Sequence, residues 1–526
     1  MAIVGIDLGT TMSAVARLDE MGKPVAVPNS EGDNATPSVV LFESKSAKVV
    51  GKVAKQSAVA NPELVRECVK NDMGTAKAWS YFGENYTAED ISAIILKRLK
   101  EDAEQVMGEP IEGAVITVPA IFGDAERNAT KTAGRIAGLN VLALLEEPVA
   151  AALAYGLGRD TAGQAAQNVL VYDLGGGTFD LTVMHVAGDE ITMLSTDGDR
   201  CLGGRDWDSR IVEYVAETFK AEHGEDPAKD SESHQDLINR AEDAKKALSR
   251  KETTHVVCQY SGKRSRVELT RSKFNELTAG LLDQTEATTQ SVVRQLQSSR
   301  KLPGGWTDIN KVLLVGGSTR MLQVPEMLAR ISGKVPEVTE VDLVVAQGAA
   351  LYSVMKVIQN AENSGQTAEL DKMGLPAGVE ELLSRKEVTR VCSFAVGVAA
   401  LDDTHNLANS VMIERNSELP AEGSEVFGTA VDDQREVRVQ VYEGEEKDLK
   451  HCIFLGDGFI TSIPAGLPQG SPVQITFKLT ADGDLDISAA ELTHGKQVKF
   501  QLKREIGKSE AEISVAAKRL AQDVVG

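Results

Sequence analysis

Two glycine-rich turns constrain the fold of this 526-residue chain more than any other feature. Residues 3–13 read I-V-G-I-D-L-G-T-T-M-S, and residues 169–181 read V-L-V-Y-D-L-G-G-G-T-F-D-L. Each stretch is an apolar, strand-like run ending in aspartate, then a turn rich in glycine and hydroxyl residues, then a second apolar run. One copy alone is also typical of an ordinary hairpin turn. The repetition favours a strand, a phosphate-sized loop and a strand, present twice.

The residue types of these turns suit a phosphate group. Glycine lets backbone N–H groups approach an anion and form a concave set of donors. Asp7 and Asp173, at the strand ends, would repel phosphate directly but can hold Mg²⁺ through water while phosphate oxygens complete its shell. Two such loops facing each other are predicted to grip one nucleoside triphosphate.

A third glycine turn makes the pattern specific. Residues 311–320, K-V-L-L-V-G-G-S-T-R, run from an apolar strand into two glycines, where bare backbone fits against a flat base or ribose. In order, D-L-G-T-T, D-L-G-G-G-T-F-D, L-G-G-R-D-W-D and V-G-G-S-T-R resemble the 70-kDa heat-shock chaperone family, DnaK-like, over residues 1–505. The resemblance implies a two-lobed, actin-like α/β ATPase domain, an all-β sandwich and a short C-terminal helix, without the family's long helical lid.

The implied function is that of an ATP-dependent molecular chaperone of the stress response. Slow, Mg²⁺-dependent ATP hydrolysis would regulate the binding of extended apolar segments of unfolded proteins. Lys70 matches the family lysine that places the attacking water, and Glu147 matches the carboxylate near that water. The resemblance gives catalytic roles to Lys70, Glu147, Asp173 and Thr178. It gives ATP or ADP, Mg²⁺ and K⁺ as cofactors, with Mg²⁺ held through water by Asp7 and Asp173.

The nucleotide-binding residues implied by the resemblance extend over several segments. Glu242, Lys245, Lys246 and Ser249 stand at i, i+3, i+4 and i+7, so they share one face of a helix. A solvent-exposed charged helix would show the same spacing. The family usually has arginine at Lys246, and lysine lacks its planar stacking surface, which predicts weaker nucleotide affinity. The remaining positions are Asp7, Gly9, Thr10, Thr11, Gly175, Gly176, Gly177, Gly203, Gly204, Gly316, Gly317, Ser318, Arg320 and Asp342.

The net charge indicates which partners are disfavoured, and the cysteines indicate the compartment. The formal net charge of −22 disfavours duplex nucleic acid and anionic membranes as partners. The five cysteines are scattered, as expected for buried thiols in a reducing compartment. The sequence shows neither a signal-peptide pattern nor an apolar run long enough for a membrane span. We therefore expect a cytoplasmic protein.

Periodicity divides the chain into four regions. Residues 1–357 alternate apolar strands with helical patterns and are predicted to form the ATPase domain. Residues 358–386 are polar and linker-like, with a short helix. Residues 387–505 show period-two alternation between turn signals, which predicts the β sandwich. Residues 506–526 are a predicted helical tail, in which the stretch from 509 to 524 starts with an S-E-A-E cap and carries Ile513, Ala517, Leu520 and Val524 on one face.

The sandwich is the predicted peptide-binding domain. The resemblance implies that apolar residues line a peptide groove in this domain, although each of them is also compatible with an ordinary sandwich core. The loop after Leu401 reads D-D-T-H-N-L-A instead of a glycine-rich turn, which places the arch over the peptide in question. The groove residues are Val398, Leu401, Phe427, Ala430, Val437 and Val439.

Communication between the domains is predicted to be altered. Pro119 and Arg127 match residues that pass nucleotide state to the surface of the first lobe. The linker, residues 386–390, contains one apolar residue in K-E-V-T-R, so its docking should be weak. At positions that match the family's contacts with J-domain partners, Ala143 stands where arginine is usual, Glu146 replaces an asparagine and Arg390 replaces an aspartate. We expect weak allostery, with a specialised J-domain co-chaperone or none, and a nucleotide exchange factor as a further partner.

Two other functions fit parts of the sequence. A sugar or metabolite kinase of the same superfamily would need a carboxylate base for a substrate hydroxyl and would not need the β sandwich. A non-enzymatic scaffold would bind ATP structurally and a partner through the β domain. The presence of both Lys70 and Glu147 favours the ATPase.

Overall fold

The computed structural model describes residues 2–157, 165–365, 370, 375–376, 378–402, 406–461, 463–499, 503–504 and 507–526. The chain begins with a first α/β unit. In chain order, its elements are β1 (Ala2–Asp7), β2 (Met12–Leu18), β3 (Pro24–Val27), β4 (Thr36–Pro37), β5 (Val39–Phe42), β6 (Ala47–Val50), α1 (Lys52–Ser57), β7 (Val65–Glu67), β8 (Ala78–Tyr81), β9 (Glu84–Thr87), α2 (Ala88–Met107), β10 (Ile111–Val118), α3 (Asp124–Ile136), β11 (Val141–Glu146) and α4 (Glu147–Leu157).

A second α/β unit follows. Its elements are β12 (Gln167–Leu174), β13 (Phe179–Ala187), β14 (Glu190–Asp199), α5 (Gly204–His223), α6 (Ser231–Leu248), β15 (Thr253–Tyr260), β16 (Lys263–Thr270), α7 (Arg271–Ser298), β17 (Lys311–Val315), α8 (Gln323–Ser332), β18 (Glu337–Val338) and α9 (Val344–Ser364).

The main sheets of the two units have the same strand order. The first runs β11-β10-β1-β2-β3, and the second runs β18-β17-β12-β13-β14. In each, the first strand of the unit pairs in parallel with one neighbour and antiparallel with the strand that follows it in sequence. The two glycine turns therefore occupy equivalent places, between β1 and β2 and between β12 and β13.

Helices α4 and α9 pack together in an apolar layer that joins the units. A Cβ atom on Gly348 would lie 1.7 Å from the Ala150 carbonyl oxygen, so the helices cross where only glycine fits. A Cβ atom on Gly5 would lie 2.1 Å from the Ala350 nitrogen. Helix α9 therefore packs directly on β1, the strand that leads into the first glycine turn.

The remaining elements form the β region and the C-terminal segment. They are α10 (Val379–Ser384), β19 (Glu387–Thr389), β20 (Val396–Leu401), β21 (Leu407–Ile413), β22 (Ala421–Gly428), β23 (Val437–Glu443), β24 (Ile453–Ile460), β25 (Pro472–Leu479), β26 (Leu485–Glu491), β27 (Lys496–Lys499), β28 (Lys503–Arg504), α11 (Glu510–Gln522) and β29 (Val524–Val525).

The β region is a sandwich of two sheets. One sheet runs β21-β20-β23-β24-β28, and the other runs β22-β25-β26-β27. Both contribute to one apolar core that includes Val441, Ile460 and Phe477. The period-two stretches predicted as strands are strands in the structure, because alternate side chains enter this core.

Two local expectations were wrong. The polar stretch beginning at residue 358 predicted a linker, but α9 continues to Ser364 because Ile358 and Ala361 remain buried. Residues 366–369, 371–374 and 377 of this stretch lie outside the described residues. In the tail, Val524 was expected on the apolar face of the helix; α11 ends at Gln522, and Val524 lies 70% exposed on a strand.

Among the residues described here, no helix combines the length and the apolar character needed to cross a membrane.

Candidate functional site

The two glycine turns meet. A Cβ atom on Gly176 would lie 2.3 Å from Thr11 Cγ2, and one on Gly177 would lie 2.6 Å from Thr10 Cγ2. The turn glycines of the second unit therefore face the hydroxyl residues of the first with no room for a side chain. The expected juxtaposition of the two loops is present in the structure.

A helix N-terminus and two further glycines complete this surface. The Gly204 N–H donates to Gly175 O at 3.0 Å, and the Arg205 N–H donates to Gly176 O at 3.0 Å. A Cβ atom on Gly203 would lie 2.4 Å from the Gly177 nitrogen. These contacts bring the start of the 20-residue helix α5 against the glycine turn. These N–H groups are already bonded to the glycine turn, so it is the positive end of the α5 helix dipole that favours a bound anion there.

The turn after β17 lies on the other side of the same loop. Ser318 Oγ donates to Gly175 O at 2.8 Å. Gly316 has φ +80, and a Cβ atom on it would lie 2.5 Å from Asp173 Oδ1. A Cβ atom on Gly317 would lie 3.5 Å from Asp342 Oδ1. Asp342 pairs with Arg320 at 2.6 Å and 3.0 Å, so this pair stands beside the Gly-Gly turn.

Lys70 and Glu147 form a buried ion pair. Lys70 lies in a 3₁₀ turn and is 5% exposed, while Glu147 begins α4 and is 8% exposed. Lys70 Nζ lies 2.5 Å from Glu147 Oε1. Thr178 is also buried, and its carbonyl accepts from the Gly175 N–H at 3.0 Å. All four predicted catalytic residues, Lys70, Glu147, Asp173 and Thr178, are therefore buried, and the charges of Glu147 and Lys70 act on Asp173.

Burial is the main cause of the raised pKa values of the two aspartates at the strand ends. Burial, reinforced by the negative charge of Glu147, raises the pKa of Asp7 to about 7. The same two causes raise the pKa of Asp173 well above its usual range. Thr117 Oγ1 donates to Asp7 Oδ1 at 3.1 Å. The clustered carboxylates oppose one another's ionisation, which is the electrostatic setting that a divalent cation relieves.

Asp180 is a site residue that the sequence reasoning missed. Its Oδ1 accepts from the Ile121 N–H at 3.1 Å, and its buried Oδ2 has no hydrogen-bond partner among the described residues. Burial, with a further contribution from Glu147, raises its pKa to about 7. The signal was present, because Asp180 is the last residue of D-L-G-G-G-T-F-D and pairs across the hairpin with Asp173.

The charged residues on one face of α6 make two kinds of contact, one with α5 and one with the first α/β unit. Lys245 is buried, and its Nζ donates to Gly204 O at 2.7 Å and to Asp208 at 2.8 Å, so it fastens α6 to α5 beside the glycine turn. Glu242 accepts from Lys55 at 2.6 Å and from Lys246 at 2.6 Å. Burial alone would raise the pKa of Glu242, but these two lysines hold it at about 2.

The Lys55–Glu242 pair joins the first and second α/β units across the site. Lys246 is largely exposed, and Ser249 is half-buried at the end of α6. The predicted nucleotide-binding face is thus partly closed by a salt bridge between the units.

The predicted groove residues of the sandwich fall into two groups. Val398 and Val439 are 2% and 1% exposed in the sandwich core, with Phe427 and Val437 packed half-buried against it. Leu401 and Ala430 are exposed. Leu401 pairs across the β20–β21 hairpin with Leu407, which is also exposed. Residues 403–405 of the predicted arch lie outside the described residues.

The linker segment at residues 386–390 is docked in this structure despite its polar composition. Strand β19 pairs in parallel with β14 through Glu190↔Glu387, Ile191↔Val388 and Thr192↔Thr389. Main-chain hydrogen bonds therefore hold this segment where few apolar side chains are available to do so.

Arg390, directly after β19, is 2% exposed and donates to Glu146 at 3.3 Å and to Asp482 at 2.7 Å. The other oxygen of Glu146 accepts from Arg127 at 2.8 Å. Pro119 is buried after β10. Two positions expected to contact a partner protein thus contact each other.

Two sheets of the same topology, which meet through glycine turns, define an α/β protein with an attached β sandwich. The family model described as Hsp70 protein matches residues 3–80 and 70–523 in two overlapping segments. The chain belongs to the Hsp70 family, whose members are in general ATP-binding, ATP-hydrolysing chaperones.

Proposed function

We propose that residues 1–357 form a two-lobed, actin-like ATPase domain, with the first and second α/β units as its lobes. The equal strand orders and the meeting of the two glycine turns support this organisation. Residues 358–364 complete α9 and belong with this domain, residues 365–386 are then the linker region, residues 387–505 the peptide-binding sandwich and residues 506–526 the tail. The nucleotide lies between the lobes.

The residues present fit a magnesium nucleotide. Thr10, Thr11 and the glycines at 175–177 bind the phosphates, and the adenosine lies between α6 and the turn at 316–318. Asp7 and Asp173 hold Mg²⁺ through water, and their pKa values are raised by burial and by the neighbouring negative charge of Glu147, which the ion offsets. Among the described residues, no cluster of three or more His, Cys, Asp or Glu side chains could hold a metal ion alone. The shell therefore depends on phosphate oxygens and water.

The observation that carries the ATPase proposal is the buried Lys70–Glu147 pair beside Asp7, Asp173 and Thr178. Lys70 offers a cation and Glu147 an acceptor to one water molecule, so the pair orients that water toward the terminal phosphate. Mg²⁺ supplies charge neutralisation on the phosphates. Phosphoryl transfer needs positioning and charge compensation more than covalent catalysis, so these groups are sufficient.

Single-turnover hydrolysis of radiolabelled ATP with Mg²⁺ tests this proposal. We expect slow hydrolysis by the wild type, and Lys70→Ala should abolish it while leaving nucleotide binding measurable by calorimetry. Lys77→Ala is the matched control, because Lys77 is half-exposed and its ammonium group pairs with Asp72 in the same loop. Hydrolysis by Lys70→Ala at the wild-type rate would contradict the assignment. Binding without hydrolysis in the wild type would favour the scaffold.

We further propose that ATP hydrolysis regulates capture of extended apolar segments of unfolded proteins by the sandwich. A polypeptide in extended conformation offers main-chain hydrogen bonds and one apolar side chain to a pocket. The exposed Leu401 and Leu407 at the end of one sheet support this role. A specialised J-domain co-chaperone and a nucleotide exchange factor would act on the nucleotide cycle.

A further inference from the structure

The C-terminal segment, defined here as residues 508–526, belongs physically to the first α/β unit. It follows the last strand of the sandwich, yet α11 packs on α3. Ile513, Ala516, Leu520 and Val525 are buried in the same core cluster as the strands and helices of that unit. The end of the chain therefore fills a place in a core formed by its beginning.

Main-chain pairing fixes the register of this contact. Strand β29 joins β6 in parallel, with Val524 opposite Ala47 and Val525 opposite Lys48. The Gly526 N–H donates to Lys48 O at 2.9 Å, and Gly526 O accepts from the Val50 N–H at 2.8 Å. The segment thus covers the edge of β6, whose backbone groups would otherwise be open to another chain.

Among the described residues, the carboxylate that pairs with the buried Lys48 of the first unit belongs to this segment. Lys48 is 1% exposed, and its Nζ lies 2.5 Å from Asp523 Oδ2. Lys97 Nζ donates to the carbonyl oxygens of Leu520 at 2.9 Å and Asp523 at 2.7 Å, which satisfies the C-terminal end of α11. A buried ammonium group without its carboxylate is strongly unfavourable, so Lys48 is specific for an acidic residue at this point.

The start of the segment is anchored as well. Lys508 Nζ lies 3.1 Å from Asp90 Oδ2, and Arg519 approaches the other oxygen of Asp90 at 3.6 Å. Arg135 pairs with Glu510. Ion pairs at the N-terminal end and the buried pair at the C-terminal end hold the whole segment along the first unit.

The connection to the sandwich is short. Strand β28 pairs with β24 through Gly456↔Arg504 and Asp457↔Lys503, so Arg504 is anchored in the sandwich. Only residues 505–507 separate it from Lys508. At a maximum of about 3.6 Å per residue, the Cα atoms of Arg504 and Lys508 stay within roughly 14 Å of each other in any conformation.

We propose that the first α/β unit carries a receptor surface for the C-terminal segment, and that its occupation straps the sandwich onto the α/β units. The strap adds to the direct contacts of the sandwich, such as Ser393 Oγ with Ala120 O and Arg200 with Glu443. The sandwich moves away from the first unit only when residues 508–526 detach. This proposal is independent of ATP hydrolysis and of peptide binding.

Hydrogen–deuterium exchange of the full chain, read by mass spectrometry, tests the receptor. Lys48→Asp and Asp523→Lys, made singly, should raise exchange roughly tenfold or more in residues 47–50 and 508–526, and also at the docked interface, residues 387–396. The double variant, Lys48→Asp with Asp523→Lys, should restore protection in all three. Lys478→Asp is the matched control, because Lys478 pairs with Glu422 on the exposed surface and should change none of them.

A second variant separates the strap from the receptor and does not alter any buried residue. An insertion of about ten Gly and Ser residues between Gly507 and Lys508 lengthens the connection as a flexible coil. We expect residues 508–526 to stay protected while exchange at residues 387–396 rises. The proposal is overturned if the interface keeps its protection in the insertion variant. It is equally overturned if a single charge reversal releases the segment and the interface does not respond.

Discussion

At the scale of single residues, Glu146 and Arg390 show how a partner changes what a side chain does. Read from the sequence, each was an altered contact for a J-domain protein. In the structure they are 4% and 2% exposed, and they pair although they are 244 residues apart. No local pattern connects positions so distant in the chain. From the sequence these are two isolated substitutions, whereas in the fold the two residues form one complementary pair.

Removing the arginine should be costly. Arg390→Ala leaves Glu146 buried with Arg127 as its remaining cationic partner and removes a partner of Asp482. We expect a loss of about 3 kcal/mol in the free energy of unfolding, at the lower end for a broken buried pair because Arg127 remains. Urea denaturation measures it. Arg385→Ala, which removes an exposed pair with Glu381, should cost less than about 1 kcal/mol. Equal effects of the two variants would contradict the buried role of Arg390.

The same cluster predicts a response to acid. Burial alone would raise the pKa of Glu146, but Arg390 and Arg127 hold it below its ordinary value of 4.5. A carboxylate with a lowered pKa stabilises the fold fully above that ordinary value, and the contribution is lost as pH falls through the lowered pKa. Hydrogen exchange at residues 387–396 should therefore be constant from neutral pH down to about 4.5, after correction for the intrinsic rate, and increase below it. Glu146→Gln should reduce this step and leave the part that belongs to Asp482, whose pKa Lys356 and Arg390 lower despite its burial.

At the scale of elements, the turns and amphipathic segments were predictable and their side-chain partners were not. The glycine turns can be recognised from their local composition. The helices α2 and α11 and the strands β23, β25 and β26 can be predicted from their periodicity. Lys245 was predicted to line the adenosine, but its bonds to Asp208 and Gly204 depend on how α5 packs against α6. That packing has no signature in either helix alone.

The end of the β20–β21 hairpin gives a test of peptide capture. Leu401→Asp should weaken the binding of a fluorescent, Leu-rich peptide about tenfold or more, because it puts a charge where an apolar side chain is needed. Fluorescence anisotropy with the full chain measures this. Val426→Asp is the matched control, since Val426 is 52% exposed on the edge strand of the other sheet. Unchanged affinity in Leu401→Asp, or no saturable binding in the wild type, removes the peptide site at this hairpin.

At the scale of the whole molecule, polar contacts hold the sandwich in place. The sequence argument counted one apolar linker residue and predicted poor docking. In the structure, the linker is held by the β14–β19 ladder and by the buried Arg390. The ion pair of Arg200 with Glu443 holds the sandwich itself. The C-terminal segment adds a further connection to the first unit. A composition argument misses such contacts, because each is made between segments far apart in sequence.

This arrangement bears on co-chaperone control. Ala143 is 4% exposed, and Glu146 and Arg390 are occupied with each other, so a typical basic J-domain helix meets neither the family's acidic linker residue nor its usual partners. A cation near Arg390 is also repelled. We therefore expect that a typical J-domain protein, added with a Leu-rich peptide, leaves the steady-state ATPase rate within about twofold of its basal value. Glu146→Asn with Arg390→Asp restores the family's residues and is the matched variant. Stimulation of the wild type by about tenfold or more would show that a route other than these residues carries the signal.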